Sequence, residues 1–164
     1  MVQREIQEAK IAKNKKPQKY IIFVKIMLVT LWGLFLLLNT WTESIEKLMY
    51  LHTFGFNWVP NPDYLSFFYF NDFTLFHPEF IKVKFGHFIG FAILDFLLFN
   101  LFKSHKISII LAILFAIFTE FLQLFFGRDG RLYDLLIDSL GIITVFLIFT
   151  NTNFKVNRKN NDWH

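Results

Sequence analysis

The sequence predicts an all-α polytopic membrane protein, a bundle of about four transmembrane helices with an aromatic interfacial segment on its outer side. Composition and the distribution of apolar residues both lead to this fold class. Hydrophobic residues make up 54% and aromatic residues 20% of the 164 residues, and the mean hydropathy is +0.41. The 24 Phe residues fall mainly in long apolar runs. A water-soluble domain of this length has no core large enough for so much apolar surface, whereas lipid supplies a nonpolar environment.

The apolar runs are long enough to cross the roughly 30 Å hydrocarbon core of a bilayer at about 1.5 Å per residue of helix. The predicted spans are residues 20–39, 83–102, 107–126 and 132–150. Short polar connections separate the last three, which is typical of antiparallel neighbours. Residues 20–150 are therefore predicted to form one membrane domain, between a basic tail at 1–19 and a polar tail at 151–164. No small-residue cleavage pattern follows the first span, which is interpreted as an uncleaved anchor.

The connection between the first two spans, residues 40–82, is too aromatic for a plain solvated loop. It contains Trp58, Tyr64 and the run Phe67-Phe68-Tyr69-Phe70. Pro and Asn residues, as in Trp58-Val59-Pro60-Asn61-Pro62, break it into short pieces. We interpret it as an outer segment lying in the membrane interface; the alternative is a gate over a substrate.

The positions of Lys and Arg predict the orientation. They concentrate in the N-terminal tail, in the turn at 103–106 and in the C-terminal tail, which lie on one side of a four-span protein. By the positive-inside rule, that side is the cytoplasm. We therefore predict a multi-pass protein of the cell membrane with both termini cytoplasmic. Membrane lipids are predicted partners and nucleic acid is not, and the absence of Cys excludes disulfides, thiolate metal sites and Cys nucleophiles.

Polar residues inside the spans gather toward the predicted outer face instead of scattering. A charge near the bilayer centre costs a few kcal/mol on insertion scales, so each one requires an explanation. The residues are Lys84 and His87 on the second span, Glu120 and Gln123 on the third, and Asp134 and Asp138 on the fourth.

The spacing of these residues places them on helix faces that can converge. Lys84/His87 and Glu120/Gln123 are i,i+3 pairs. On the last span, Asp134, Asp138 and Gly141 form a single i, i+4, i+7 stripe, and its glycine permits close helix approach. Arg128 and Arg131 in the preceding turn carry planar donors suited to a carboxylate or phosphate, which predicts that they roof the site.

Two motifs in the second half of the chain resemble the VanZ family. The first is Lys84-Phe85-Gly86-His87-Phe88, and the second is Glu120-Phe121-Leu122-Gln123 followed by Arg128, Asp134, position 138 and Gly141. Each motif alone is weak, but together, in order and on the spans, they are fairly specific. The first span and the aromatic segment match only in general layout.

The chain departs from the family pattern at Val83, Gly90 and Asp138, where Asp, Glu and Asn respectively are expected. Asp138 adds a negative charge deep in the site. The resemblance implies a VanZ-like membrane protein, whose namesake is associated with resistance to the glycopeptide teicoplanin in Gram-positive bacteria. It does not imply a mechanism.

Three functions are compatible with these residues. The leading hypothesis is a non-catalytic protein that binds an anionic envelope component or lipid headgroup at the outer face. Its partners would be lipids, a cell-wall precursor or a glycopeptide, and its predicted binding residues are Lys84, His87, Glu120, Gln123, Arg128, Asp134 and Asp138. The runner-up is an intramembrane enzyme acting on a lipid-linked cell-wall intermediate, with Glu120 as base and His87 as acid. The third is a transporter of a small amphiphile, in which Asp95 supplies a midplane step.

The same residues also allow interpretations other than these three functions. A buried set of His87, Glu120, Arg128 and Asp138 can pair internally and simply hold three helices in register. A metal ion on the imidazole and carboxylates is chemically permissible, but no recognised ligand spacing supports it, so no metal and no cofactor is predicted. Asp95 is predicted to make a hydrogen bond to a neighbouring helix in preference to forming a proton relay with Asn100.

Overall fold

A computed structural model describes the backbone of residues 2–41, 57–70, 78–128 and 130–161 and the side chains of residues 18–40, 57–70, 81–128 and 130–151. Residues 42–56 and 71–77 of the predicted outer segment lie outside the described residues, as do the side chains of most of both tails. The regular elements of the described chain are all helical. They are α1 (Val2–Trp41), a short 3-10 helix (Tyr64–Phe68), α2 (Pro78–Phe102), α3 (His105–Phe125) and α4 (Leu132–Asn161).

Each α-helix contains a stretch long and apolar enough to cross a membrane. These stretches are Gln18–Thr40, Ile81–Phe102, His105–Phe125 and Leu132–Asn151. The predicted fold class, a four-helix membrane bundle, is confirmed. The first and last helices continue beyond the spans, because α1 begins at Val2 and α4 ends only at Asn161, within the predicted tails at 1–19 and 151–164. The Lys, Gln, Glu and Ala residues common in the first of these segments are strong helix formers.

The core of the bundle lies where α2, α3 and α4 meet. It consists of Phe91, Leu94, Leu98, Ala112, Ala116 and Ile142. The two alanines lie one turn apart on α3 and are fully buried, so this helix can approach its neighbours closely. On the outside of the bundle, α1 contacts α2 and α3. Trp32 connects α1 to α2 by donating a hydrogen bond of 2.9 Å to the Gly90 carbonyl.

The backbones of α2 and α4 approach each other closely at Gly141. A Cβ atom built there would collide with the backbone carbonyl of Phe88, and the backbone nitrogen of Ala92 would lie only 3.3 Å away. Only glycine therefore fits at this crossing. Because Asp134 and Asp138 share its helix face, both carboxylates point toward α2.

The turn between α3 and α4 folds back over the end of α3. Gly127 adopts a left-handed backbone conformation with a φ of 64°. The backbone N–H groups of Phe126 and Arg128 both donate to the Gln123 carbonyl, at 3.1 and 3.0 Å. Gly130 is buried against the Glu120 carbonyl, which leaves no room for a side chain. The turn thus brings the start of α4 directly beside Glu120 and Gln123.

Candidate functional site

The facing ends of α2, α3 and α4 bring together six polar residues, which we call the polar cluster. They are Lys84, His87, Glu120, Gln123, Asp134 and Asp138. Within the cluster, Lys84 on α2 and Asp134 on α4 form an ion pair. Lys84 Nζ lies 2.6 Å from both carboxylate oxygens of Asp134. The same ammonium group lies 4.8 Å from the ring centroid of Tyr133, so a cation–π contact supplements the ion pair.

His87 lies between the two remaining carboxylates. Its Nδ1 atom is 3.2 Å from Asp138 Oδ1 on α4 and 3.7 Å from Glu120 Oε1 on α3. One imidazole therefore connects all three helices. The second oxygen of Asp138, Oδ2, is buried and makes no hydrogen bond with any described residue.

Glu120 is held in place by two donors from the chain around it. Gln123, one turn further along α3, donates its amide to Oε1 at 3.2 Å. The backbone N–H of Arg131, at the start of α4, donates to Oε2 at 3.2 Å. Both oxygens are thus oriented by groups that stabilise a carboxylate.

The two arginines of the turn donate hydrogen bonds to backbone carbonyls. Arg128 Nη1 donates to the Asn39 carbonyl of α1 at 2.5 Å, and Arg131 Nη1 donates to the Ser66 carbonyl at 2.5 Å. These bonds connect the turn to the end of α1 and to the segment that precedes α2. Hydrogen bonds thus link the turn, the end of α1 and the 3-10 helix beside the cluster.

Residues 57–70, which we call the aromatic cover, pack on the end of α3. The backbone N–H of Val59 donates to the Phe125 carbonyl at 2.8 Å. The rings of Trp58 and Phe125 stack with centroids 5.5 Å apart, and those of Tyr64 and Phe121 stack at 6.2 Å. The aromatic side chains thus lie at the same end of the bundle as the polar cluster, where amphipathic rings suit a membrane interface.

Within the polar cluster, the acidic side chains are buried and the basic side chains are partly exposed. Glu120 and Asp138 are 0% exposed and Asp134 is 2% exposed. By contrast, the side chain of Lys84 is 17% exposed and that of His87 is 21% exposed. The interior of the cluster is therefore acidic and its accessible edge is basic.

Comparison with known proteins identifies the family. Residues 11–154 match the family described as VanZ/LLP1. The chain belongs to the VanZ/LLP1 family. It is 41% identical over 117 residues to the "Uncharacterized membrane protein YwnJ" of Bacillus subtilis (strain 168), an alignment that covers 71% of this chain and 83% of that protein. No solved structure gives a significant match.

The VanZ resemblance inferred from the two motifs is thus confirmed, and the motif residues of this VanZ/LLP1 protein lie together in space. Sequence reasoning missed two partners of the cluster, Tyr133 and the backbone N–H of Arg131. It also missed the carbonyls of Asn39 and Ser66, which accept hydrogen bonds from the arginines of the turn. Tyr133 could have been found from the sequence, because its aromatic ring is adjacent to Asp134 and can contact a cation. The backbone groups left no signal, because any residue type supplies them.

Asp95 and Asn100 lie apart from the polar cluster of this VanZ/LLP1 protein. Asp95 is about 12 Å further along α2 than His87, and fully buried Phe91, Leu94 and Ile142 occupy the bundle core between these positions. Neither oxygen of Asp95 makes a hydrogen bond with a described residue.

The hydrogen bond predicted from Asp95 to a neighbouring helix stays a prediction, with the Ser108 hydroxyl of α3 as its candidate donor. The Ser108 hydroxyl also lies 3.1 Å from the His105 carbonyl, to which it donates. Asn100 accepts hydrogen bonds from Lys25 and Lys103 at 3.0 and 2.8 Å, at the opposite end of the bundle.

One group of side chains in the described chain is arranged to hold a metal ion. His87, Glu120 and Asp138 each offer one ligand atom, and these atoms all lie within 4.8 Å of one another. Imidazole nitrogen and carboxylate oxygen are suitable ligands for divalent transition metals. No metal is predicted from the sequence, because these residues have no recognised ligand spacing along the chain.

Proposed function

We propose that this VanZ/LLP1 protein binds a phosphate-bearing lipid headgroup of the cell envelope at the outer face of the cell membrane. The basic edge of the polar cluster is the observation that carries the proposal. An anionic headgroup that approaches this end of the bundle meets Lys84 and His87 first, with Arg128 in the adjoining turn. Arg and Lys donors recognise phosphate through charge-assisted hydrogen bonds.

The surroundings of the cluster suit a ligand that is part lipid. The aromatic cover and the exposed Phe85 lie beside the basic edge, so acyl or polyprenyl chains could remain in the membrane while the headgroup reaches the cations. The outward orientation rests on the Lys and Arg distribution along the chain. Phospholipids and lipid-linked cell-wall precursors share this chemistry, and the experiment below distinguishes them.

Binding fits the geometry better than acid/base catalysis or transport. Glu120, the candidate base, is fully buried, and the hydrogen bonds from Gln123 and the Arg131 backbone hold its carboxylate inside the cluster, away from the accessible edge where a substrate would arrive. A transport path would have to connect His87 to Asp95 through the buried Phe91 and Leu94. We therefore assign the cluster a binding role.

The binding experiment uses the full-length protein in lipid nanodiscs or detergent. Affinity is measured by native mass spectrometry for phosphatidylglycerol, a polyprenyl diphosphate and, as a zwitterionic reference, phosphatidylcholine. The variants are Arg128→Gln and the double variant Lys84→Gln/Asp134→Asn, which removes both charges of the ion pair together so that neither is left buried and unpaired. Lys106→Gln is the matched control, because Lys106 is an exposed cation at the other end of α3.

We expect each site variant to weaken binding of the preferred anionic lipid about tenfold, since a charged hydrogen bond contributes about 1.5–3 kcal/mol. The Lys106→Gln variant should bind like wild type. Preference for the diphosphate identifies a cell-wall precursor, and preference for phosphatidylglycerol identifies a phospholipid. Equal binding by wild type and both site variants refutes the proposal.

We further propose that headgroup binding contributes to glycopeptide resistance. Teicoplanin and vancomycin susceptibility would be measured in a deletion strain complemented with wild type, His87→Ala, Glu120→Gln or Asp95→Asn, with membrane abundance checked for each. We expect the first two variants to lose protection and Asp95→Asn to keep it. Normal protection by all three refutes a role of the site. Accumulation of one lipid-linked precursor in the deletion strain would favour the enzyme instead, and loss only in Asp95→Asn would favour transport.

A further inference from the structure

We propose that His87, Glu120 and Asp138 bind a divalent transition-metal ion, which presents an open coordination position to the headgroup phosphate. The ion site stands on its own geometry, whereas the contact with phosphate rests on the proposed function. The three ligands come from α2, α3 and α4 respectively, so a bound ion would lock the three core helices together at this end of the bundle.

The distances between the ligand atoms match a coordination polyhedron. Ligand bonds of about 2.0–2.1 Å in a tetrahedral site place neighbouring ligand atoms about 3.3 Å apart. His87 Nδ1 lies 3.2 Å from Asp138 Oδ1 and 3.7 Å from Glu120 Oε1. These two distances are within a few tenths of an ångström of the tetrahedral value, and the ligand atoms of Glu120 and Asp138 lie within 4.8 Å of each other.

Charge balance supports a dication in this position. The ion pair of Lys84 with Asp134 is neutral by itself. Glu120 and Asp138 remain as two fully buried carboxylates beside one imidazole, and burying unbalanced charge is costly. A divalent ion with neutral His87 as ligand balances both carboxylates without requiring that either be protonated.

A buried atom of Asp138 is the second, independent indication of a ligand. Its Oδ2 is fully buried and makes no hydrogen bond with any described residue, although more than nine in ten buried polar groups are normally satisfied. A carboxylate that binds the ion through both oxygens accounts for this atom.

The groups around the ligands fit the supporting shell of a metal site. Gln123 and the backbone N–H of Arg131 fix the orientation of Glu120, as outer-shell donors do for carboxylate ligands. Three protein ligands leave at least one coordination position open. Because His87 is partly exposed whereas both carboxylates are buried, that position faces the basic edge of the cluster.

The test measures metal binding by the full-length protein in a phosphate-free detergent. Protein treated with a chelator is titrated with Zn²⁺ by calorimetry and with Co²⁺ by visible absorption, whose d–d bands report nitrogen and oxygen coordination. Glu120→Gln and Asp138→Asn keep the shape of each side chain but remove its charge. Asp95→Asn is the matched control, because it neutralises another fully buried carboxylate of the bundle outside the cluster.

We expect about one ion per chain, with affinity at least about tenfold weaker in Glu120→Gln and Asp138→Asn and unchanged in Asp95→Asn. Thermal melting without metal checks that each variant is folded. If wild type binds no ion, or if folded site variants bind Zn²⁺ like wild type, the inference is wrong. Equal loss in Asp95→Asn would also overturn it, since the loss would then be unspecific.

Lipid binding with and without chelator separates this inference from the proposed function. Metal binding without any lipid binding would leave the ion site standing and refute the headgroup proposal. Lipid binding that persists unchanged in chelator, by protein that takes up no Zn²⁺, would refute the ion site and leave the headgroup proposal standing.

Discussion

We predict that the close crossing of α2 and α4 at Gly141 sets the geometry of the polar cluster. In Gly141→Ala, the new methyl group would collide with the backbone carbonyl of Phe88. A backbone atom cannot rotate away as a side chain can, so α2 has to move by about 1 Å to restore an ordinary carbon–oxygen contact. His87 is adjacent to Phe88, and its 3.2 Å contact with Asp138 would exceed hydrogen-bonding distance after such a shift.

The expected cost follows from what surrounds the added atom. Overpacking a well-packed interior costs about 1–3 kcal/mol, and we expect about 2 kcal/mol for Gly141→Ala because the obstacle is backbone. Gly86→Ala is the matched control on α2, since a Cβ atom there meets nothing within 4 Å. Alanine is the better helix former by about 1 kcal/mol, so this control should be stabilised. The two variants should therefore differ by about 3 kcal/mol.

Thermal unfolding of the purified proteins in one detergent measures this difference. At about 2–4 °C per kcal/mol for a chain of this size, Gly141→Ala should melt about 6–12 °C below Gly86→Ala. Lipid affinity should fall in the first variant only. If Gly141→Ala melts at or above wild type and keeps its lipid affinity, the close crossing does not set the geometry of the cluster.

Two further predictions concern the ion pair and the orientation. Lys84→Met should cost about 3–5 kcal/mol because it leaves Asp134 buried without its counter-charge, whereas Lys84→Met/Asp134→Leu should recover most of that loss; equal melting temperatures of the single and double variants would contradict a buried pair. Because the chain has no Cys, exposed Asn61→Cys and Lys106→Cys each carry a single thiol. An impermeant reagent should label Asn61→Cys in intact cells and Lys106→Cys only after permeabilisation, and the reverse pattern would overturn the outward orientation.

The structure also shows why the turn itself is a poor place for such a thiol. Gly130 lies between the two arginines in sequence and looks like a loop position, but it packs against the Glu120 carbonyl and has no room for a side chain. Asn61 is exposed on the aromatic cover and avoids this problem. Sequence alone does not distinguish the two positions, since both are polar or small residues in a connection.

The sequence by itself determined the fold class and the membership of the polar cluster. Hydropathy is a local property of a segment, so the four spans could be found without knowing how they pack. Helix periodicity is local as well, which is why Asp134 and Asp138 could be assigned to one face with Gly141 before their partners were known. The cost of charge in a membrane then made each of these residues conspicuous.

Only the tertiary structure decided which residues pair. The contacts of Lys84 with Asp134, and of His87 with Asp138 and Glu120, depend on the register of three helices, and that register is set by close approaches such as Gly141 against Phe88. Backbone partners were equally out of reach, so the hydrogen bond of Arg128 to a carbonyl of α1 could not be predicted from the sequence. Interhelical register is a sum of many packing contacts that no single segment encodes, and it alone placed an imidazole and two carboxylates at distances that suit a metal ion.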